Sequence, residues 1–407
     1  MRLHFLSGQY IPRHLVAPTD WIWLLRLVVA LYASACCSGS TADDVLRIGH
    51  VMTQDEARIR LSEMANAVPN ASAWRQRADA IRQGILKGTR LERLPSRCPL
   101  NPIRHSRREF DGYSVENVAF EALHGFFVTG NLYLPSSFTK PLPGVLSPHG
   151  HKKNKRRLSS TQYRCATLAR MGAAVFTWDM LGYGESEPCT HKHGEAMRLQ
   201  TFSSLRAVDF MISLGIVDED RLAVTGASGG GTQSFILAAI DPRIDVSAPV
   251  VQVSAHFYGG CVCESGMPIH VQGDFETNNV EIAALIAPKP LLLVSDGGDW
   301  TANTPNVEFP YVQRIYRLLN AQENVENAHF ADEGHDNGPS KRKAVYQFFA
   351  AHLRLNLSSV QDGSGEIGES FVKLLEPAEL AVFNEDHPRP AHAVVRCADI
   401  VASLDQD

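Results

Sequence analysis

The chain has 407 residues, of which 44% are hydrophobic and 20% charged, with a formal net charge of −5 at pH 7. That length fits one large α/β domain with additions at both ends, and the apolar share suffices to bury a core. The mild acidity excludes the broad basic balance of a nucleic-acid binder and calls for no special charged partner.

An apolar run at residues 21–35 comes first, interrupted only by Arg26, preceded by Arg2 and Arg13, with no acid before Asp20. Ala33, Ser34 and Ala35 supply the small residues that signal peptidase reads, so residues 1–35 read as an export signal. The run is too short and too charged for a stable membrane span, and the mature protein is expected to be periplasmic or secreted. Cys36 follows directly and is the place for an envelope-anchoring lipid, although Ala33 stands where such sites usually carry Leu.

Residues 41–106 read as a helical region, because 56–65 and 73–86 place apolar residues at three- and four-residue steps. A proline-containing stretch at 94–102 separates it from the next region. From residue 107 the pattern changes to strands: residues 113–120 alternate, and 126–135 follow as a second strand. Apolar runs at 144–147, 173–179, 221–226, 245–253, 290–295 and 328–331 then alternate with helical segments at 159–171, 201–214, 231–240, 310–319 and 341–353. Strand–helix alternation with continuous apolar strands predicts a mostly parallel sheet covered by helices on both faces, with the first strands as an antiparallel edge. The catalytic domain so defined runs from 107 to 355, and an accessory tail occupies 356–407.

Chemistry enters at Gly226-Ala227-Ser228-Gly229-Gly230, a G-x-S-x-G pentapeptide between a predicted strand and a predicted helix. A sharp elbow there forces the serine into a strained backbone, and the flanking glycines keep side chains out of the turn. A neutral hydroxyl needs a base to become a nucleophile. Chain order in such sites is Ser, then acid, then His, which selects His335 in the loop before the last predicted helix. The acid should follow the strand at 290–295. Asp299, about four residues beyond that strand, is favoured over Asp296, with the other carboxylate left to stabilise the turn. Oxyanion stabilisation calls for two backbone N–H donors: that of Gly229 and, from the Pro148-His149-Gly150-His151 loop, that of His151.

Two features stand beside this constellation. The run Lys152, Lys153, Lys155, Arg156, Arg157 reads as a solvated helix start, with the recruitment of an acidic substrate as the functional alternative. Eight cysteines are present, and spacing alone assigns no pairs. Cys261-Val-Cys263 is a C-x-C without a second pair or a nearby histidine cluster along the chain, so no metal is expected and the cysteines read as a structural disulfide or buried thiols.

His149-Gly150, the loop Asp179 to Ser186, the elbow at Ser228, Asp299 and Gly334-His335-Asp336 stand in the order seen in α/β hydrolases. Over residues 112–355 the chain resembles exported bacterial acetylxylan-esterase-like and dienelactone-hydrolase-like proteins, and the resemblance extends to the motif at 381–390. It implies carboxylic-ester hydrolysis through an acyl-enzyme, without metal or organic cofactor, on a small-molecule or glycan ester. Polysaccharide deacetylation is one form of this. A prolyl-oligopeptidase-type peptidase shares the elbow and the triad order. It is disfavoured because a helical region, not a β-propeller, precedes the strands.

Overall fold

The computed structural model describes residues 47–405 apart from Lys140, Lys153 and Glu187. The expected leader at 1–35 and Cys36 therefore lie outside the described residues. Among the described residues the first helix is α1 (Gln54–Ala67), opened by Thr53 through a capping box: its hydroxyl accepts from Glu56 N–H at 3.3 Å, and the Glu56 carboxylate accepts from Thr53 N–H at 2.8 Å. Helix α2 (Ala71–Gly88) turns Trp74, Ala78, Ile81 and Ile85 inward, a three- and four-residue spacing that gives one apolar stripe. Arg77 on the same helix donates to the buried Glu281 carboxylate at 3.0 Å, so the stripe and an ion pair together fasten this region to the body.

Nine strands form the central sheet: β1 (Ile103–Glu109), β2 (Tyr113–Leu123), β3 (Phe126–Pro135), β4 (Leu142–Leu146), β5 (Ala174–Trp178), β6 (Val217–Ala227), β7 (Val246–Val250), β8 (Leu291–Asp296) and β9 (Val325–Phe330). Their spatial order is β1-β2-β3-β5-β4-β6-β7-β8-β9. The pairs from β5 to β9 are parallel and those from β1 to β5 antiparallel. Strands β4, β5, β7 and β8 are wholly buried and β6 is buried from Leu222 to Gly226, as continuous apolar runs covered on both faces require. Helices α3 (Ser159–Arg170), α4 (Ala196–Ser213), α5 (Gly229–Ile240), α6 (Glu308–Leu318) and α7 (Pro339–Leu353) connect or follow these strands. The chain is thus a mostly parallel α/β fold with an antiparallel edge.

The edge holds one element the sequence pattern hides. Strand β1, with sequence IRHSRRE, pairs antiparallel with β2 and is largely exposed. Its arginines give no apolar alternation, because an edge strand facing solvent is kept charged against further pairing.

The order fixes the position of the site. From β4 the chain steps to β5 on one side and then crosses to β6 on the other, so the connections diverge around β4. Leu146 at the end of β4 lies opposite Val224 of β6, and the loops leaving both strands open at the same edge. Such a switch point is where an open parallel sheet leaves a crevice outside its carboxyl ends.

The segment after α7 runs back across the antiparallel edge. Asn117 of β2 donates to the carbonyls of Glu379 at 3.0 Å and Ala381 at 2.8 Å. A disulfide joins Cys189, in the loop after β5, to Cys397 at the start of the last helix, α8 (Cys397–Ser403). It closes a loop over a sequence separation of 208 residues. Long-loop crosslinks typically stabilise by about 2–5 kcal/mol. Cys397→Ser is therefore expected to lower the thermal midpoint by several degrees, and thiol reduction of the wild type should reproduce most of that loss in the same melting assay. No helix among the described residues is long and apolar enough to cross a membrane.

Candidate active site

Ser228 sits between the end of β6 and the start of α5 with φ 58° and ψ −127°, a conformation costly for any residue with a side chain. Its N–H donates to Val250 O of β7 at 3.0 Å, and its carbonyl accepts from Gly231 N–H at 2.6 Å and Thr232 N–H at 3.1 Å. The backbone is thus pinned on both sides. Gly226 shows why the pentapeptide needs its glycine: a Cβ there would lie 2.5 Å from Pro148 O and 2.6 Å from Gly230 O.

A cavity of about 200 Å³ opens beside Ser228, lined also by His149, His151, Lys152, Arg164 and His335. His335 comes from the loop after β9, and its Nδ1 lies 2.6 Å from Asp299 Oδ2. Asp299 comes from the loop after β8 and its side chain is 2% exposed. Its other oxygen accepts from Thr301 N–H and Thr301 Oγ1–H, both at 2.6 Å. With Nδ1 engaged by the carboxylate, Nε2 is the imidazole nitrogen left for the cavity. The Trp300 ring packs on His335 at 4.4 Å between centroids and on Phe257 at 3.9 Å, which limits rotation of the imidazole.

Asp296 occupies a different place. Its fully buried carboxylate lies 3.2 Å from Lys341 Nζ, and it accepts from Gly298 N–H at 3.1 Å. Burial raises the Asp296 carboxyl and the charge of Asp299 raises it further, against the pull of Lys341. The same ammonium donates to Gly334 O at 2.7 Å and Asp336 Oδ1 at 2.9 Å, so it braces the loop that carries His335. Of the two carboxylates that compete in the sequence, Asp299 contacts the histidine and Asp296 anchors its loop.

The loop after β4 is held by His149. Its Nδ1 donates to Gly150 O at 2.9 Å, while its Nε2 accepts from Met180 N–H at 3.0 Å, a pairing that only the neutral ring can make. Burial drives the His149 pKa down to about 4, with Asp179 acting in the opposite sense. His270, also buried, is lowered to about 4. A histidine depressed in the folded state binds its proton more readily when unfolded, so its share of stability is intact above about pH 6.5 and is lost as pH falls toward 4. The thermal midpoint is expected to drop across that window, with each ring contributing roughly 3 kcal/mol at the acid end. A melt series from pH 7 to 4 checks this, and a flat midpoint would refute it.

His151 and Gly229, the two expected oxyanion residues, are neighbours: a Cβ added to Gly229 would lie 2.5 Å from His151 Cε1. The His151 side chain, which carries no signal of its own in the sequence, lies with its Nε2 2.9 Å from Cys263 Sγ.

The basic run that follows does not behave as a solvated helix start. Arg156 is fully buried, 2.9 Å from Asp179 and 2.6 Å from Glu185, and Arg157 is 2.7 Å from Glu185. Lys155 lies over the Tyr183 ring at 3.6 Å. Of the run, Lys152 lines the cavity, and Lys153 lies outside the described residues. A second cation there had no sequence signal: Arg164 of α3, 2% exposed, donates to Ser147 Oγ at 3.0 and 2.8 Å and to Pro148 O at 3.3 Å, with no carboxylate paired to it among the described residues.

No family model matches the chain. "Putative hydrolase YtaP" of Bacillus subtilis (strain 168) is 26% identical over 234 residues, covering 49% of this chain and 74% of that protein. The glucuronoyl esterase from Solibacter usitatus superposes with a TM-score of 0.50 at 17% identity, over 70% of this chain and 94% of that one, a likeness of fold. Methylesterase BT1017 superposes with a TM-score of 0.81 at 37% identity, over 88% of this chain and 80% of that one. The chain therefore belongs to the α/β-hydrolase superfamily, as a hydrolase of the esterase family that includes methylesterase BT1017.

Proposed function

We propose that the protein is a serine carboxylic-ester hydrolase working through an acyl-enzyme, with Ser228 as nucleophile, His335 as general base and Asp299 as the carboxylate that orients it. The observation that carries this reading is the His335–Asp299 contact of 2.6 Å beside a strained Ser228 that lines the same cavity. His335 Nε2 takes the Ser228 proton as Oγ attacks the ester carbonyl, and the imidazolium so formed is stabilised by Asp299. The developing oxyanion is held by the N–H groups of Gly229 and His151. Gly229 heads α5, where the first amides of a helix have no partner inside it. Proton return from His335 releases the alcohol, and water activated by the same ring frees the acid.

The proposed substrate is a glycan ester. The relationship to a methylesterase favours an ester of a small alcohol with an acidic sugar over an acetylated sugar. The cavity supports that choice, because Lys152 and Arg164, which has no carboxylate paired to it among the described residues, line it beside one carboxylate, Asp336. A peptidase reading has no such support among the described residues. Export is proposed with it: the Cys189–Cys397 disulfide suits an oxidising compartment.

The test is a panel of a methyl-esterified uronate, an acetylated sugar and a peptide amide, run beside fluorophosphonate labelling. Label on Ser228 with preferential cleavage of the methyl ester is expected. Label elsewhere would overturn the nucleophile, and preferential cleavage of the acetyl ester would overturn the substrate.

A further inference from the structure

Beside the active site, loops from three different strands bring His151, His191, Cys261 and Cys263 together. Their ligand atoms all lie within 4.8 Å of one another. His151 Nε2 is 2.9 Å from Cys263 Sγ, and His191 Nδ1 is 3.1 Å from Cys261 Sγ. The partners are separated along the chain by 112 and 70 residues, which is why the sequence around the C-x-C pair does not reveal them. We propose that these four side chains hold a structural zinc ion.

The donor set argues for it. Two thiolates and two imidazoles match the tetrahedral preference of zinc. At Zn–S of about 2.3 Å and Zn–N of about 2.0 Å, neighbouring ligand atoms stand about 3.3–3.8 Å apart, so the two short contacts would lengthen by about half an ångström and no pair would have to close by more than about 1.5 Å. Softer sulfur donors also disfavour magnesium or calcium. A supporting shell is present as well. The Glu264 carboxylate, buried and held by Thr232 Oγ1 at 3.3 Å and Gln252 Nε2 at 3.4 Å, lies 3.9 Å from His151 Nδ1. A carboxylate behind the free nitrogen of a ligating imidazole is the usual device for fixing its tautomer and orientation. The Tyr183 ring stacks on His191 at 4.6 Å.

With four protein ligands the metal has no open position, so its role is to fix loops and not to activate water. The loops it would fix are those that matter. His151 belongs to the loop after β4 that contacts Gly229, and His191 lies two residues from the disulfide-bonded Cys189. Metal binding would thus set the backbone of residue 151 against the nucleophile elbow.

The inference does not depend on which ester is cleaved, and metal content tests it directly. The full chain, incubated with zinc and freed of excess by gel filtration, is expected to carry about one zinc per chain by elemental analysis, and Cys261→Ser/Cys263→Ser to carry almost none. Cobalt added to chelator-treated wild type should give the intense visible bands of a tetrahedral ion together with a thiolate charge-transfer band, a readout that needs no variant to fold. Chelator should lower the thermal midpoint of the wild type. Wild type without tightly bound zinc, a cobalt spectrum lacking thiolate charge transfer, or a Cys261–Cys263 disulfide found by mass spectrometry of the unreduced protein would each overturn the site.

Discussion

Ser228→Ala is expected to lose about four to six decades of ester turnover while keeping the wild-type melting curve. The loss is large because every later step needs a bond to Ser228 Oγ: without it His335 has no hydroxyl to deprotonate and no acyl-enzyme forms. What remains is the rate that binding and the oxyanion donors alone provide. The fold is expected to survive because the contacts that hold residue 228 are made by its backbone, to Val250 O, Gly231 N–H and Thr232 N–H, and alanine keeps all of them. Alanine also meets the strain at φ 58° with the same Cβ that serine has. Turnover of p-nitrophenyl acetate and of a methyl-esterified uronate, with circular-dichroism melts of both proteins, decides the matter. An alanine variant within a factor of about a hundred of wild type would place the nucleophile elsewhere.

The elbow could be read from sequence because its constraints are local. Gly226 must lack a side chain next to Pro148 O, and an apolar strand must end just before Ser228. The parallel body was legible for a similar reason: strands buried on both faces leave continuous apolar runs. What escaped depends on contacts distant in the chain. Strand β1 is written in arginines because it faces solvent at an edge. Arg156 belongs to a run that looks solvated until Asp179 and Glu185 fold over it. Cys261 and Cys263 look like an isolated pair because the histidines that meet them leave the sheet from β4 and β5. In each case the sequence shows the residue, and the partner arrives only through the sheet order.

The choice between Asp296 and Asp299 is the sharpest instance, since three residues separate two carboxylates with different tasks. Asp299→Asn is expected to cut kcat by about three to four decades with little change in KM. Asparagine presents an amide N–H where the carboxylate accepted one, so His335 adopts the tautomer with its proton on Nε2. In that form the nitrogen facing the cavity cannot take the Ser228 proton, and no anion remains to stabilise an imidazolium. Asp296→Asn should act on stability instead. It removes one partner of the buried Lys341, but Asp336 at 2.9 Å and Glu333 at 3.2 Å stay in reach, and the asparagine oxygen still accepts from Gly298 N–H. Breaking a buried pair outright costs about 3–5 kcal/mol, so with two carboxylates left a loss of roughly 1–3 kcal/mol follows. The His335 loop keeps its Lys341 contact at Gly334 O, and kcat should stay within about tenfold of wild type. Parallel measurements of kcat, KM and thermal midpoint on the two variants separate the roles. A larger kcat loss in Asp296→Asn than in Asp299→Asn, with both proteins folded, would mean that His335 takes its carboxylate from residue 296 during turnover.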